Sequence, residues 1–194
     1  MWPTPLSPAS GAKPYAGCGE GENPNLFSFV FCLDVATGNV LWIFCTNQFV
    51  EGQPNQPNAL PAAVVVNNLP PGYTVVQDPP IIMGCSVWGS IAYDKDLGRL
   101  YCPTGNQQPE PNNNWPQTPF TPDLPSAGYS KGLLSLDAET GEFKGFFQVT
   151  PESNYRVSDI DIDVGSSPVI FTANGTKDVS LACKNGRNFD LHPH

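Results

Sequence analysis

Charged side chains are scarce in this chain, and basic ones are the scarcest. Of its 194 residues, 9 are Lys or Arg and 18 are Asp or Glu, which gives a formal net charge of −9. The sequence contains no basic patch, and a surface of this sign repels the phosphates of nucleic acids and anionic membranes. We therefore expect no nucleic-acid partner. The acidity would suit a bound cation, and it would equally serve solubility alone.

Membrane and zinc signatures are also missing. The opening residues, Met1 to Pro5, have no basic residue and no apolar run, so no signal peptide is visible. No stretch approaches the length of a membrane-spanning helix. The six cysteines include no CxxC pair, which argues against a zinc site. An even count suits disulfides outside the cytosol, and Cys32 and Cys45 flank a predicted hairpin. They either face each other there or remain buried free thiols.

Turn-forming residues are what the chain has in abundance. It contains 22 Pro and 18 Gly beside 40% apolar residues. This composition favours many short strands and turns over long helices. Segments 51–84 and 107–128 are especially rich in Pro and Asn. Long loops of this kind are either functional or family-specific insertions.

An internal repeat identifies the strands. Leu33–Gly38 (LDVATG) recurs as Leu136–Gly141 (LDAETG), and the match extends to Phe44 and Phe147. In each copy an apolar strand enters, the Asp caps the turn with its side chain, the Gly takes a positive φ, and a second apolar strand leaves. The copies lie about two propeller blades of 40–50 residues apart.

Further hairpins complete the expected fold. One surrounds a turn at 94–98, another surrounds Asn174-Gly175, and 189–194 looks like the start of a further repeat strand. We predict an all-β partial β-propeller of four-stranded antiparallel blades, about two and a half blades in one domain. The expected divisions are an incomplete blade (1–50), a Pro-rich connection (51–85), a complete blade (86–150) and a truncated blade (151–194).

The ordered set of motifs resembles the quinoprotein alcohol dehydrogenases that use pyrroloquinoline quinone (PQQ), and most closely their polyvinyl-alcohol-dehydrogenase-like branch. Beside the two repeats, the motifs are Ser86–Ser90 (SVWGS), Leu100–Asn106 (LYCPTGN), Asp159–Pro168 (DIDIDVGSSP) and Lys184–Gly186 (KNG). They follow the family order over nearly the whole chain but span roughly a quarter to a third of an eight-bladed ring. The resemblance implies a fragment or degenerate member, an extracellular or periplasmic location, and a small alcohol as substrate.

The resemblance also implies cofactor contacts. Trp88 matches the tryptophan on which the quinone lies, and Ser86 belongs to the same motif. Lys184 matches the basic residue that contacts a quinone oxygen. An indole offers a broad apolar face to a planar ring. The residues alone leave two alternatives open, namely that Trp88 is a core tryptophan and Lys184 a turn lysine.

A metal ion, Ca²⁺ or a lanthanide, is implied beside the quinone. Asn106 matches the family's amide ligand, and Asp161 matches the catalytic base that removes the alcohol proton and lies at the metal. Asp163 matches the acidic position that accompanies lanthanides. Glu20, with Glu22 as the alternative, matches the acidic ligand from the preceding blade. Hard cations prefer such oxygen donors. A turn residue at 106 and a solvated acidic strand are the alternatives.

One departure from the family pattern bears on function. Leu26-Phe27-Ser28-Phe29 stands where the family has an arginine that clamps a PQQ carboxylate. We predict a PQQ- and metal-dependent alcohol-dehydrogenase-like propeller. The alternative is a non-catalytic structural or assembly module that self-associates through open strand edges.

Overall fold

The computed structural model describes residues 13–18, 28–46, 59–61, 74–76, 83–105, 107–108, 129, 131–149, 164–183 and 188–191. All regular secondary structure in these ranges consists of β-strands. Three antiparallel sheets of three or four strands form the body of the fold, and they do not close into a ring. The predicted all-β partial propeller is thus confirmed. In the described part of the chain, no helix is long and apolar enough to span a membrane.

The first sheet has the order β1-β2-β3. Its strands are β1 (Tyr15–Cys18), β2 (Phe29–Leu33) and β3 (Val40–Cys45). The β2–β3 turn is held by Asp34, whose Oδ1 accepts hydrogen bonds from the backbone N–H groups of Ala36 (3.0 Å) and Thr37 (2.8 Å). Gly38 closes the turn with a φ of +72°, a conformation that favours glycine.

Four very short strands follow or interrupt the Pro- and Asn-rich segments. Two of them, β4 (Ala59–Pro61) and β5 (Thr74–Val76), pair in parallel. The other two, β6 (Met83–Gly84) and β9 (Gln107–Gln108), pair antiparallel. The Pro and Asn content of these segments predicted long loops. The short strands were not predicted, because strands of two or three residues leave no periodic pattern to recognise.

The second sheet has four strands in the order β11-β10-β8-β7. They are β7 (Ala92–Asp94), β8 (Arg99–Thr104), β10 (Gly132–Asp137) and β11 (Phe143–Gln148). The third sheet has the order β12-β13-β14. It consists of β12 (Val169–Ala173), β13 (Thr176–Ala182) and β14 (Asn188–Leu191).

The two sequence repeats share one strand register. In the first copy Cys32 pairs with Trp42 and the next pairing is shifted, which leaves Leu41 as a bulge residue. The second copy has the same shift at Lys144, so Gly145 occupies the place that Trp42 has in the first copy. Because a bulge changes which side chains face each sheet surface, this equivalence decides how neighbouring sheets contact each other.

Each pair of neighbouring sheets shares its own apolar cluster. The first cluster joins the first and second sheets and includes Trp42, Phe44 and Leu134. The second joins the second and third sheets and includes Leu133 and Val179. Burial of apolar surface between adjacent sheets, contributing about 25 cal/mol per Å², is therefore what holds the three sheets together.

The structure decides between the two alternatives that the sequence left open for Cys32 and Cys45. Cys32 lies opposite Trp42, near the turn, whereas Cys45 lies opposite Phe29 at the far end of the hairpin. The two cysteines do not face each other, because the tight turn after Leu33 fixes a register that separates them along the strands. The five cysteines whose side chains the structure describes are free and buried, which favours the thiol alternative: Cys32, Cys45, Cys85, Cys102 and Cys183.

Candidate functional site

The SVWGS and LYCPTGN motifs meet directly after strand β8 of the second sheet. The backbone N–H of Gly105 donates to the carbonyl oxygen of Ser86 over 2.8 Å. A Cβ atom placed on Gly105 would lie 3.1 Å from Trp88 Nε1 and 3.1 Å from Ser86 Oγ. Those distances are shorter than most Cβ contacts, so a side chain at position 105 would displace the Trp88 indole or the Ser86 hydroxyl by a few tenths of an ångström, and glycine lets the indole lie this close to the backbone.

A third motif reaches the same place. A Cβ atom on Gly89 would lie 2.9 Å from Pro103 Cγ and 3.4 Å from the carbonyl oxygen of Ser166. The backbone N–H of Ser90 donates to Ser167 Oγ over 3.1 Å. The SVWGS, LYCPTGN and VGSSP segments, which are far apart in sequence, therefore converge around Trp88.

Trp88 and Ser86 differ sharply in exposure. Ser86 is 3% exposed, whereas Trp88 is 49% exposed although its neighbours Cys85 and Val87 are buried. The core-tryptophan alternative does not describe such a side chain, because a large aromatic ring is normally covered by the core. The arrangement presents part of an indole ring on a rigid support, which is what stacking of a planar molecule requires.

Buried polar groups support the loop beneath Trp88. Thr46 Oγ1 lies within hydrogen-bonding distance of the carbonyl oxygens of Cys85 (2.8 Å) and Ser28 (3.1 Å). Cys85 has a φ of +53°, an unusual conformation for a residue with a side chain. Burial raises the pKa of its thiol strongly, so Cys85 is neutral and part of the support rather than a nucleophile.

Lys131 lies at the site although none of the recognised motifs contains it. It is 5% exposed and has a φ of +53°. Its backbone N–H donates to the carbonyl oxygen of Gly105 over 2.9 Å, and its charge lowers the pKa of the Cys85 thiol against the larger effect of burial. A lone lysine before the apolar β10 run was the available signal, since charged residues are rarely fully buried without a partner.

The other predicted site residues lie outside the described residues. These are the proposed base Asp161, the proposed metal ligands Asn106, Asp163 and Glu20, and the quinone contact Lys184. Within the part of the chain that the structure describes, no three His, Cys, Asp or Glu side chains come together in a group that could hold a metal ion. The predicted metal site therefore stays a prediction.

Comparison with known proteins identifies the family. Residues 28–192 match the family model described as the PQQ glucose/ethanol/alcohol dehydrogenase β-propeller domain. The chain belongs to this family. That assignment confirms the resemblance predicted from the ordered motifs, and it accounts for the repeated β-hairpins of the fold.

Individual relatives within the PQQ propeller family are distant. The chain is 30% identical over 135 residues to quinohemoprotein alcohol dehydrogenase ADH IIB of Pseudomonas putida, covering 70% of this chain and 18% of that protein. It is 25% identical over 173 residues to lupanine 17-hydroxylase [cytochrome c] of Pseudomonas sp, covering 84% of this chain and 23% of that protein. The chain thus spans about a fifth of the length of these relatives.

Solved structures agree on the fold. The quinohemoprotein alcohol dehydrogenase of Comamonas testosteroni aligns with a TM-score of 0.59 at 19% identity, covering 94% of this chain and 25% of that one. A europium-containing methanol dehydrogenase aligns with a TM-score of 0.58 at 18% identity, covering 93% of this chain and 30% of that one. In both alignments the chain matches a part of the other protein that amounts to 25–30% of its length.

Proposed function

We propose that this chain contributes part of a PQQ-dependent alcohol dehydrogenase site, with Trp88 as the platform for the quinone. The observation that carries the proposal is the half-exposed indole of Trp88, held against Gly105 where three motifs converge. PQQ would supply the two-electron acceptor, and the protein would position it. Because the chain spans about a fifth of its relatives' length, other segments of the ring have to supply the remaining walls.

The chain's own residues fit such a group. The missing Cβ of Gly105 lets the Nε1 edge of the Trp88 indole lie close to the loop, while about half of the residue stays exposed and can meet a planar molecule. The buried Lys131 adds positive charge beneath the same loop, and a quinone that carries carboxylates benefits from it where the clamp arginine of the family is absent.

Proton removal and metal binding form the second part of the proposal. Asp161 would take the hydroxyl proton of a small alcohol, a role that a carboxylate performs when burial and a nearby cation tune its pKa. Asn106, Asp163 and Glu20 would contribute oxygen ligands, with Asp161, to Ca²⁺ or a lanthanide. Lys184 would contact a quinone oxygen. Relatives of this kind lead us to propose a location outside the cytoplasm.

Equilibrium titration with PQQ tests the platform. The full chain is titrated in the presence of Ca²⁺ or La³⁺ while quinone absorbance is followed. We expect saturable binding that weakens at least tenfold in Trp88→Ala and is largely restored in Trp88→Phe, because stacking needs a planar ring. Tyr93→Ala is the matched control, since Tyr93 is also an aromatic residue of this region and is 52% exposed.

Two results would contradict the platform. One is equal loss of binding in Tyr93→Ala and Trp88→Ala. The other is saturable binding that Trp88→Ala leaves unchanged, which would place the quinone elsewhere. Binding without alcohol oxidation by the chain alone is the expected result if the other ring segments complete the catalytic site. Asp161→Asn should then reduce turnover, and not PQQ affinity, once those segments are present.

Self-association is the second candidate function. Among the described residues β14 pairs with β13 alone, and the third sheet has three strands where the second has four. An edge strand of this kind can add a strand from another chain. Sedimentation over a hundredfold concentration range decides it. A strictly monomeric chain at the highest concentration would refute self-association and leave the cofactor proposal untouched.

A further inference from the structure

A cleft of about 350 Å³ opens between the second and third sheets. The lining residues include Tyr101, Leu133, Ser135, Gly145, Val179 and Leu191. Its volume lies at the lower end of the roughly 300–1,000 Å³ typical of small-molecule sites. The cleft belongs to the interface between these two sheets, and none of its lining residues belongs to the Trp88 site.

The sequence repeat explains why this cleft exists. Gly145 occupies the place that Trp42 has in the first repeat, with the same bulge beside it. In the first interface Trp42 is 3% exposed and fills the space between two sheets. In the second interface a Cβ atom on Gly145 would meet no atom of the described residues within 4 Å. The chain has therefore exchanged an interface indole for empty volume.

A second pair of equivalent residues, Phe44 and Phe147, also differs in how well the neighbouring sheet covers it. Phe44 and Phe147 occupy matching positions of the two repeats, opposite Val30 and Leu133 respectively. Phe44 is completely buried, whereas Phe147 is 39% exposed and lines the cleft. Since the backbone registers agree, the difference comes from the side chains that cover each phenylalanine. An aromatic ring placed beside Gly145 would restore the packing seen in the first interface.

Two polar groups give the cleft a chemical preference. Among the described residues, no hydrogen-bond partner meets the buried Tyr101 hydroxyl or Ser135 Oγ, and Tyr101 is only 4% exposed, beside the Arg99 side chain. Burial raises the pKa of Tyr101, so its hydroxyl stays protonated. An unsatisfied buried polar group costs about 1–3 kcal/mol, and a ligand that supplies one hydrogen-bonding group would recover part of it.

Charges at the rim argue against an anionic ligand. Lys144 and Arg99 line the cleft, but the Lys144 ammonium already lies 2.8 Å from Glu142 and 3.8 Å from Asp137. These two carboxylates balance the two cations, so the rim carries no net positive charge to attract an acid. A neutral molecule suits the cleft better.

We propose that the cleft at Gly145 binds a small neutral aromatic molecule that carries one hydrogen-bonding group, of the size of indole or phenol. The ring would take the place of the Trp42 indole of the first interface, and its polar group would meet Tyr101 or Ser135. This proposal does not depend on quinone binding, because it uses different residues and a different interface.

Indole is the probe for the test. Ligand-observed NMR and calorimetry with the full chain measure its affinity. We expect binding to the wild-type chain, less than threefold change in Gly145→Ala, and at least tenfold loss in Gly145→Trp, in which the new side chain fills the cleft. Gly145→Trp should also raise the thermal midpoint in the absence of indole, because it restores inter-sheet packing. Tyr101→Phe should weaken indole more than toluene.

Clear outcomes would overturn the proposal. These are no indole binding to the wild-type chain at its solubility limit, or equal binding to the wild type and a folded Gly145→Trp. If Gly145→Trp does not fold, Gly145→Leu replaces it, since leucine fills part of the same volume without needing room for two rings. Undiminished binding in folded Gly145→Leu would likewise place indole elsewhere on the chain and refute the assignment.

Discussion

The indole N–H of Trp42 donates a hydrogen bond of 3.3 Å to the carbonyl oxygen of Ala138, 96 residues later in the chain. The same indole covers Gly141, where a Cβ atom would lie 2.6 Å from Trp42 Cε3. A side chain of the first repeat thus rests on the turn of the second repeat. Because of this contact, substitution of Gly141 should destabilise the fold more than substitution of Gly38, the glycine of the first turn.

Alanine substitution of the two turn glycines should separate the cost of a left-handed backbone from the cost of crowding the Trp42 indole. Gly38 and Gly141 have φ values of +72° and +73°, but only Gly141 faces an indole. A Cβ atom on Gly38 would meet no atom within 4 Å in the part of the chain that the structure describes. Gly38→Ala should cost about 1–2 kcal/mol for the left-handed backbone. Gly141→Ala should cost about 1–3 kcal/mol more, because it overpacks the interface. Urea denaturation measures both, and equal costs would show that Trp42 does not press on Gly141.

Substitution of Trp42 should lower the free energy of unfolding far more than substitution of its chain neighbour Leu41. Trp42→Ala removes a buried aromatic side chain and should lower the free energy of unfolding by about 3–5 kcal/mol. Trp42→Phe keeps a ring but loses the hydrogen bond to Ala138, which is worth about 1 kcal/mol. Leu41, 39% exposed, is the matched control, and Leu41→Ala should cost about 0.5 kcal/mol or less. A similar cost at both positions would contradict the interface.

An ion pair between sheets should make stability depend on pH. Lys177 Nζ lies 2.8 Å from Oδ1 of the buried Asp94. Burial works to raise the pKa of Asp94, but the Lys177 hydrogen bond and the backbone N–H groups of Leu97 and Asp96 together hold it below its ordinary value of 3.8. Because the folded pKa is lowered, this stabilisation is complete above the ordinary value and is lost as pH falls through the folded pKa.

The variant Lys177→Met tests that sign. At pH 7 it should lower the free energy of unfolding, because it leaves the buried Asp94 carboxylate without its cation. The second pair of Lys177, with the exposed Asp96, should add little. The difference between wild type and variant should shrink below pH 4 as Asp94 becomes protonated. Lys95→Met, at an exposed residue of the same turn, is the control. A difference that stays constant from pH 7 to pH 2.5 would show that the lost interaction is not ionic.

Buried thiols should resist modification in the folded chain. Burial raises the pKa of Cys32 to about 11 and raises that of Cys85 and Cys102 still further. Since the thiolate is the reactive form, the five described cysteines should react with maleimide at pH 8 only after unfolding. Peptide mapping by mass spectrometry reads each site. Rapid labelling of Cys85 in the native chain would contradict the buried support beneath Trp88.

Local chemistry made the hairpins predictable. In each repeat one Asp accepts hydrogen bonds from the N–H groups two and three residues later, as Asp137 Oδ1 does from Glu139 (3.0 Å) and Thr140 (2.9 Å). Such turns depend only on neighbouring residues, so the motif suffices. The choice between facing cysteines and buried thiols at Cys32 and Cys45 stayed open, because cross-strand register depends on the whole turn and bulge and not on the two cysteines alone.

Contacts between sheets were not predictable from the residues. The hydrogen bond from Trp42 to Ala138 joins positions 96 residues apart, and the ion pair of Lys177 with Asp94 joins positions 83 residues apart. No short motif encodes which sheet surfaces meet. For the site, family order led to Trp88, whose exposed indole the structure describes. The burial of Lys131 depends on the packing of distant strands, so its position before the apolar β10 run marked the residue but could not show that it would be covered.

The two separate apolar clusters have a consequence for how the chain loses its structure. Among the described residues, each apolar cluster joins only adjacent sheets, so the free energy resembles a sum over adjacent units rather than one indivisible term. Melting should therefore proceed in stages, beginning at the third sheet, whose junction with the second contains the unfilled cleft. A fluorescence probe at Trp42 and an exchange-rate probe at Val179 would then report different midpoints, and no single transition temperature would describe the molecule.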